Sequence, residues 1–463
     1  MHSDKIKEYV NEVCQQIRWK KAQERVREEM ENHITDARDG YIAQGLEEQA
    51  AVQRAIKDTG DAVQIGTEFD RVHRPRAQWG LLACVAGFLV FGMYLGYVLG
   101  GAGSDWRFIW AAVSSNGQLL WAAFGLAVML AAYFADFTIL GKYPWRVCIG
   151  VALVVFVVFV LRSGGHIFSV AHRIPFTAQV LPLIFPVVFA PIIFSYRNRG
   201  YKGILACLAA FGILGIVAFM APAPSGAWHF VIIASVLLVT AILRGWFGAI
   251  NKGLGIILAF VPHVVVFGIM MAIDGQWIIA RIRVTFDPFI DPLGRGFLAA
   301  QARGLLSGAA FVGEGVLPPR FPQEWLFSPS FYAYRPLTTV ISRFGWLAVI
   351  VILAAVAAFI VATSAKCAKQ RSGLGFFVSL AVIVTFSVQA VMYTLFNLGI
   401  TIPMISLPFI SPGNFAMVVN MGLAGFMLSV FRTGDVVTDG YFPSRKRSDF
   451  ISWDDGKIII RVK

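Results

Sequence analysis

Residues 281–346 read RIRVTFDPFIDPLGRGFLAAQARGLLSGAAFVGEGVLPPRFPQEWLFSPSFYAYRPLTTVISRFGW, and this stretch decides how the rest of the chain is laid out. It is a long polar interruption in a chain that otherwise alternates apolar runs with short basic turns. It carries Asp287, Asp291, Gln301, Glu314 and Glu324. A segment this long between apolar runs, with its own Gly and Pro punctuation, is either a functional loop or a disordered one. Phe286, Phe289, Phe297, Leu305, Leu306 and Phe311 give it the apolar content that disordered segments lack. The functional site is therefore expected beneath it.

The runs on either side set the class. A mean hydropathy of +0.67, with 57% hydrophobic and 14% charged residues, excludes an ordinary soluble globular protein. A helix of about 20 apolar residues crosses a hydrocarbon core of about 30 Å. Ten such spans are predicted, at 80–101, 117–137, 144–162, 176–195, 202–222, 227–244, 252–273, 337–364, 373–396 and 411–431. The expected fold is all-α: a ten-helix polytopic membrane domain over 79–432, with the large loop at 274–336 and a tail at 433–463. The first 76 residues are highly charged and contain no apolar h-region, so no cleavable signal peptide is expected.

Charge sets the expected orientation. Residues 1–78 hold 13 Lys/Arg and 15 Asp/Glu, a net of −2, so the +13 of the chain comes from the remainder. That excess reads either as attraction for anionic lipid and phosphate groups or as the basic bias of cytoplasmic loops. The connections between spans two and three (Lys142, Arg146), four and five (Arg197, Arg199, Lys202), six and seven (Arg244, Lys252), and eight and nine (Lys366, Lys369, Arg371) carry ten basic residues. The short connections on the other side carry three, Arg107, Arg162 and Arg173. Both termini are then cytoplasmic and the large loop extracytoplasmic, in a bacterial plasma membrane. The five cysteines avoid the large loop and form no CxxC, so neither a disulfide framework nor a zinc site is indicated.

Residues 1–78 read as a small three-helix cytoplasmic domain. Val26, Met30, His33, Ile34 and Tyr41 recur near the helical period. The run GLEEQAAVQRAIKDTGDAVQIGTEF resembles the HAAS-type domain found in front of bacterial membrane proteins. Pro75 among Arg71, Arg74 and Arg76 marks the linker. In the first span, Gly92, Gly96 and Gly100 form a groove for close helix approach, read here as internal packing.

Two segments go beyond generic membrane helix: DPFIDPLGRGF with QARGLLSGAAFVGEG and LP in the loop, and FNLGITIPMISLPFISPGNFAMVVNMGLAGFMLSV near the end. With ten spans and the loop between spans seven and eight, they resemble the SEDS family (shape, elongation, division and sporulation; FtsW/RodA/SpoVE-type peptidoglycan glycosyltransferases). The anchors fall in order: Asp287, Asp291, Gly294, Gly296, Gln301, Gly308, Gly313, Gly315, Leu317, Pro318, then Pro403, Pro408, Phe409, Ser411, Asn420 and Gly422. The resemblance implies cell-wall assembly, with polymerisation of glycan strands from lipid II, an undecaprenyl-linked sugar. It also implies a partner transpeptidase of the class B penicillin-binding type. That chemistry needs a carboxylate to take the acceptor hydroxyl proton and cations for the leaving pyrophosphate.

The family acids are largely replaced. Counting back from Gly345 and Trp346, the position of the family Asp falls on Tyr334, and two further acids fall on Ser342 and Arg343. A Glu and a Lys before the fourth span fall on Ala178 and Leu181. QEWLF read against the family's TDFIF places Glu324 at the Asp position, and Glu324 is the candidate base, its other reading being a solvated loop residue. Arg283, Arg295 and Arg303 are candidates for the pyrophosphate. Asp287, Asp291, Gln301, Ser411 and Asn420 complete the candidate substrate site, although Asp287 and Asp291 both precede Pro and suit turns. Two function classes stay open: a glycosyltransferase, and a non-catalytic relative that binds lipid or a partner as a scaffold. No cofactor is called for, and a divalent cation is left open. The histidines show no metal-ligand spacing and no nucleotide-binding or nucleic-acid-binding motif occurs. Asp136 at the end of span two and His263 within span seven are the remaining ionisable candidates.

Overall fold

The computed structural model describes residues 2–75, 77–99, 118–162, 176–220, 225–316, 335–402, 406–410, 414–434, 451–454 and 457–460. The chain forms two compact units, one built on Met1–Ala77 and the other on Gln78–Phe431.

The first unit has four helices rather than three: α1 (His2–Gln15), α2 (Lys20–Ala43), α3 (Glu48–Thr59) and α4 (Ala62–His73). Their apolar faces meet in one core, with Val10, Val13 and Ile17 from the first segment facing Val26, Met30 and Ile34 of α2. The TGD turn makes the extra break. Gly60 takes φ +107°, and Asp61 Oδ1 caps α4 by accepting from the backbone N–H groups of Val63 and Gln64 at 3.0 and 2.9 Å. A Cβ on Gly66 would lie 2.6 Å from the Val13 carbonyl oxygen, which is why α4 can approach α1 so closely.

Each of the ten predicted spans of the second unit is occupied by helix. They are α5 (Trp79–Leu99), α6 (Gln118–Phe134), α8 (Pro144–Arg162), a 3-10 turn (Phe176–Ile184) running into α9 (Phe185–Ser195), α10 (Gly200–Phe219) and α11 (Ser225–Leu243). Then come α12 (Lys252–Phe286), α14 (Pro336–Phe344) followed by α15 (Trp346–Ala368), α16 (Gly373–Asn397) and α17 (Asn414–Thr433). Short α7 (Thr138–Lys142) lies between spans two and three, and α13 (Phe297–Ser307) lies in the large loop. Six of these helices are long and apolar enough to cross a membrane, and four shorter apolar helices accompany them. This is a polytopic helical membrane protein. In α16 and α17 most of the apolar surface is buried, whereas α5 and α15 leave most of theirs outward, the division expected of central and lipid-facing helices.

Local sequence explains the departures from plain spans. Pro182 and Pro186 withhold N–H donors, so span four opens as a 3-10 turn. Gly345, at φ +89°, separates α14 from α15. The seventh span does not stop at 273: α12 continues unbroken to Phe286, so the first part of the expected loop is helix. It ends at Asp287 because a residue before Pro288 is driven out of the α region. In the tail, Ile451–Asp454 and Lys457–Ile460 pair as an antiparallel hairpin.

Backbone bonds sort the connections to two ends of the bundle. Asn198 N–H donates to the Trp246 carbonyl at 3.0 Å and Gly200 N–H to that of Phe247 at 2.8 Å. Trp145 Nε1 donates to Tyr196 Oη at 3.0 Å, and the Arg244 guanidinium lies 3.9 Å from the Phe376 ring centroid. The four basic connections therefore share one end. At the other end, Thr285 Oγ1 donates to the Thr401 carbonyl at 2.9 Å, bringing the large loop to the turn before α17. Gly92 packs internally, as expected: a Cβ there would stand 2.5 Å from the Ile410 carbonyl oxygen.

Candidate functional site

The site is built where the large loop returns to the bundle. Asp287 Oδ1 accepts from Phe289 N–H at 3.0 Å and Asp291 Oδ2 from Arg295 N–H at 2.9 Å. Both carboxylates shape the DPFIDPLGRG turn, which is the turn-forming reading of an Asp before Pro. The glycines follow from crowding, since a Cβ on Gly296 would meet the Pro288 carbonyl oxygen at 2.2 Å. The turn delivers α13 onto the end of α12.

Arg303 fastens it there. Its Nε donates to the Gly399 carbonyl at 3.1 Å, Nη1 to that of Phe286 at 3.0 Å and Nη2 to that of Thr285 at 3.4 Å. This guanidinium, expected near a pyrophosphate, is engaged with three main-chain carbonyls and acts as a clasp. Beyond α13, residues 308–316 strap onto the α14–α15 junction. Gly313 and Gly315 donate to the carbonyls of Phe344 and Ser342 at 3.1 and 2.9 Å, and Trp346 and Leu347 donate back to those of Ala310 and Phe311 at 3.1 and 3.0 Å. Glu314 is exposed between the two strap glycines.

Two groups that sequence reasoning passed over organise the floor. Arg335 is 1% exposed, with its guanidinium stacked 4.1 Å from the Phe396 ring centroid and donating to the Phe396 carbonyl. Asn397 Oδ1 accepts from Leu337 and Thr338 N–H at 3.0 and 3.3 Å, capping α14, while its Nδ2 donates to the Tyr393 carbonyl at 2.8 Å. The signal for Arg335 was a cation set directly before the apolar run that opens at Pro336. For Asn397 it was an amide closing an apolar run. Deeper in the bundle, Phe409 adopts φ +66° inside a cage of Phe88, Phe359 and Phe386, with ring centroids 6.4, 6.0 and 5.1 Å away.

Unpartnered polar atoms mark the interior. Among the described residues, Gln301 Oε1, Asn420 Oδ1, Ser406 Oγ and both amide atoms of Gln389 are buried without a hydrogen-bond partner. Buried polar atoms are ordinarily paired, so each is a place where a polar ligand or water gains a bond. Gln301 and Asn420 were expected at the site; Gln389 was not, and its only signal was one amide inside SVQAVM.

Cations gather at the end of α12. Arg281 lies over the Trp277 ring at 5.7 Å. Burial first, and then the charge of Arg295, hold its guanidinium below the ordinary arginine value. Arg283, further along the same helix, and Arg295, in the turn that follows, are exposed. Glu324, Tyr334 and Ser411 lie outside the described residues. Asp136 caps α7, accepting from Thr138 N–H and Oγ1 at 3.1 and 2.8 Å, and His263 Nε2 lies 2.8 Å from Ser235 Oγ of the neighbouring helix. Both have structural tasks away from the loop. No group of three or more metal-ligating side chains occurs among the described residues.

No protein-family model matches the chain. A probable peptidoglycan glycosyltransferase FtsW of Trichlorobacter lovleyi is 21% identical over 169 residues, covering 35% of this chain and 43% of that protein. The match thus spans less than half of the curated relative's length. Among solved structures, a chain from a study titled "Structural coordination of polymerization and crosslinking by a peptidoglycan synthase complex" superposes with a TM-score of 0.53 at 17% identity, covering 77% of this chain and 98% of that one. The rod shape determining protein RodA of Thermus thermophilus gives a TM-score of 0.47 at 15% identity, over 77% and 98% of the two chains. The first superposition takes in nearly all of its target, so the two share a fold over about three quarters of this chain.

Proposed function

We propose, from the premise that the chain is a divergent SEDS-type membrane protein, that it works in cell-wall assembly and handles an undecaprenyl-linked sugar beneath the large loop. The carrying observation is that Arg281 lies over the Trp277 ring near the end of α12, where Arg303 clasps the loop to Thr285, Phe286 and the Gly399 turn. In glycosyl transfer the acceptor hydroxyl attacks the anomeric carbon and the carbon–oxygen bond to pyrophosphate breaks. The hydroxyl proton passes to a carboxylate, and the charge left on the pyrophosphate needs cations. Arg281 and Arg295 supply the cations, and Glu324 is the carboxylate assigned as base. The ten basic residues of the opposite end favour that end as cytoplasmic, which puts the loop outside, where such a chain would meet a transpeptidase of the class B penicillin-binding type.

Purified protein given labelled lipid II tests the reading. Glycan polymer is expected from the parent chain, a loss of about a hundredfold from Glu324→Gln, and weaker substrate binding from Arg281→Gln/Arg295→Gln. Polymer that persists unchanged in Glu324→Gln removes Glu324 from the chemistry. Lipid II binding with no polymer from the parent would make the chain a scaffold.

A further inference from the structure

Two connections at the basic end, between α6 and α8 and between α9 and α10, meet through Trp145 and Tyr196. Besides the 3.0 Å bond from Nε1 to Oη, the two rings stand edge to face with centroids 6.5 Å apart. Cations line the ledge this makes. Lys142 Nζ and the Arg146 guanidinium lie 5.4 and 5.0 Å from the Tyr143 ring centroid. The Arg199 guanidinium lies 5.0 Å from that of Tyr196. Lys142, Tyr143, Arg146 and Arg199 are exposed. The nearest acid in sequence, Asp136, accepts from Thr138 instead, and among the described residues none of the three cations has a carboxylate at ion-pair distance.

We propose that this ledge binds the headgroup of an anionic phospholipid from the leaflet that meets this end of the bundle. A guanidinium resting on an aromatic ring keeps its in-plane N–H groups free for phosphate oxygens. What selects a lipid over a soluble phosphate is the wall below. Ile149, Leu153 and Val157 of α8 are 53%, 58% and 42% exposed and descend from the ledge at helical spacing, a surface for an acyl chain. Basic pockets between membrane helices with aromatic neighbours recognise anionic headgroups in this way.

The test titrates the full-length protein in detergent with phosphatidylglycerol and, separately, phosphatidylcholine, counting bound lipid by native mass spectrometry. Phosphatidylglycerol is expected to bind the parent at least about tenfold more tightly than phosphatidylcholine. Arg146→Gln/Arg199→Gln is expected to weaken it by about tenfold to thirtyfold, and Arg146→Lys/Arg199→Lys to keep most of it. The charge-matched Lys369→Gln/Arg371→Gln, at another connection of the same end, should change binding less than about threefold. Equal losses in the two glutamine doubles would mean diffuse surface charge and overturn the proposal. So would undiminished binding in Arg146→Gln/Arg199→Gln, or displacement of the lipid by inorganic phosphate at equal concentration. If the glutamine double does not fold, the single Arg146→Gln carries the comparison, with an expected loss of about fivefold.

Discussion

Replacing Arg303 by Met keeps most of the apolar stem and removes the three bonds that clasp α13 to α12 and to the Gly399 turn. Two of those bonds are short, at 3.1 and 3.0 Å, and the third is long at 3.4 Å. A hydrogen bond from a charged donor contributes about 1.5–3 kcal/mol. Arg303 is partly exposed, so the lower figure applies to each short bond and little to the long one, giving about 3 kcal/mol for the clasp. At about 1.4 kcal/mol per factor of ten, local opening of α13 should become about a hundredfold more frequent. Hydrogen exchange of the purified protein reads this directly. Amides of Phe297–Ser307 are expected to exchange about a hundredfold faster in Arg303→Met, while those of α16 above Tyr393 stay as they were. Arg303→Lys, which reaches one carbonyl rather than three, should fall between. Exchange in Arg303→Met within twofold of the parent would refute the clasp and return Arg303 to the candidate ligand-binding groups.

Asn397→Ala deprives two α14 amides of their acceptor and should cost about 2–3 kcal/mol, seen as a fall of several degrees in the thermal denaturation midpoint in detergent. A shift under one degree would show that Asn397 does not hold α14. Gly425→Leu would set a Cβ 2.1 Å from the Met129 carbonyl oxygen, so little folded protein is expected on size exclusion. Gly150→Leu, with nothing within 4 Å of its Cβ position, should give parental yield. In the helical unit, burial raises both Cys14 and Tyr9, with Asp61 and Glu12 adding to Tyr9. The unfolded chain then loses these protons before the folded one does. Their stabilising contribution is complete below the ordinary thiol value near 9 and is lost as pH rises through the raised folded values. Circular dichroism melts between pH 7 and about 11 should show α1–α4 weakening only in the upper part of that range. A flat profile would contradict the burial of both groups.

The spans were legible because bilayer thickness imposes a run length that composition alone satisfies. Each predicted span received a helix, and the basic connections met at one end. Lengths beyond the bilayer were not legible. QWIIARIRVTF has no breaker before Asp287, yet its polar content read as loop, whereas helical propensity carried α12 through it. The turn roles of Asp287 and Asp291 could be anticipated from the following prolines. Arg303 was assigned by charge alone, and charge cannot distinguish a guanidinium facing a ligand from one facing three carbonyls. That difference lies in contacts between residues about a hundred apart, as with Arg303 and Gly399. Arg335 illustrates the same limit: the sequence shows only a cation after Tyr334, and packing shows it stacked on the Phe396 ring in α16's last turn.

Because α12 has 35 residues, it is about 52 Å long at 1.5 Å per residue, against a hydrocarbon slab of about 30 Å. Its overshoot is a stiff stalk that carries Arg281 and Arg283 in its last two turns. Lower down, Pro262 leaves the Leu258 carbonyl without its helical donor, yet the helix runs on through it. With Thr285 bonded to Thr401 and Arg303 bonded to the carbonyls of Thr285 and Phe286, the stalk sets how far from the slab the large loop takes root.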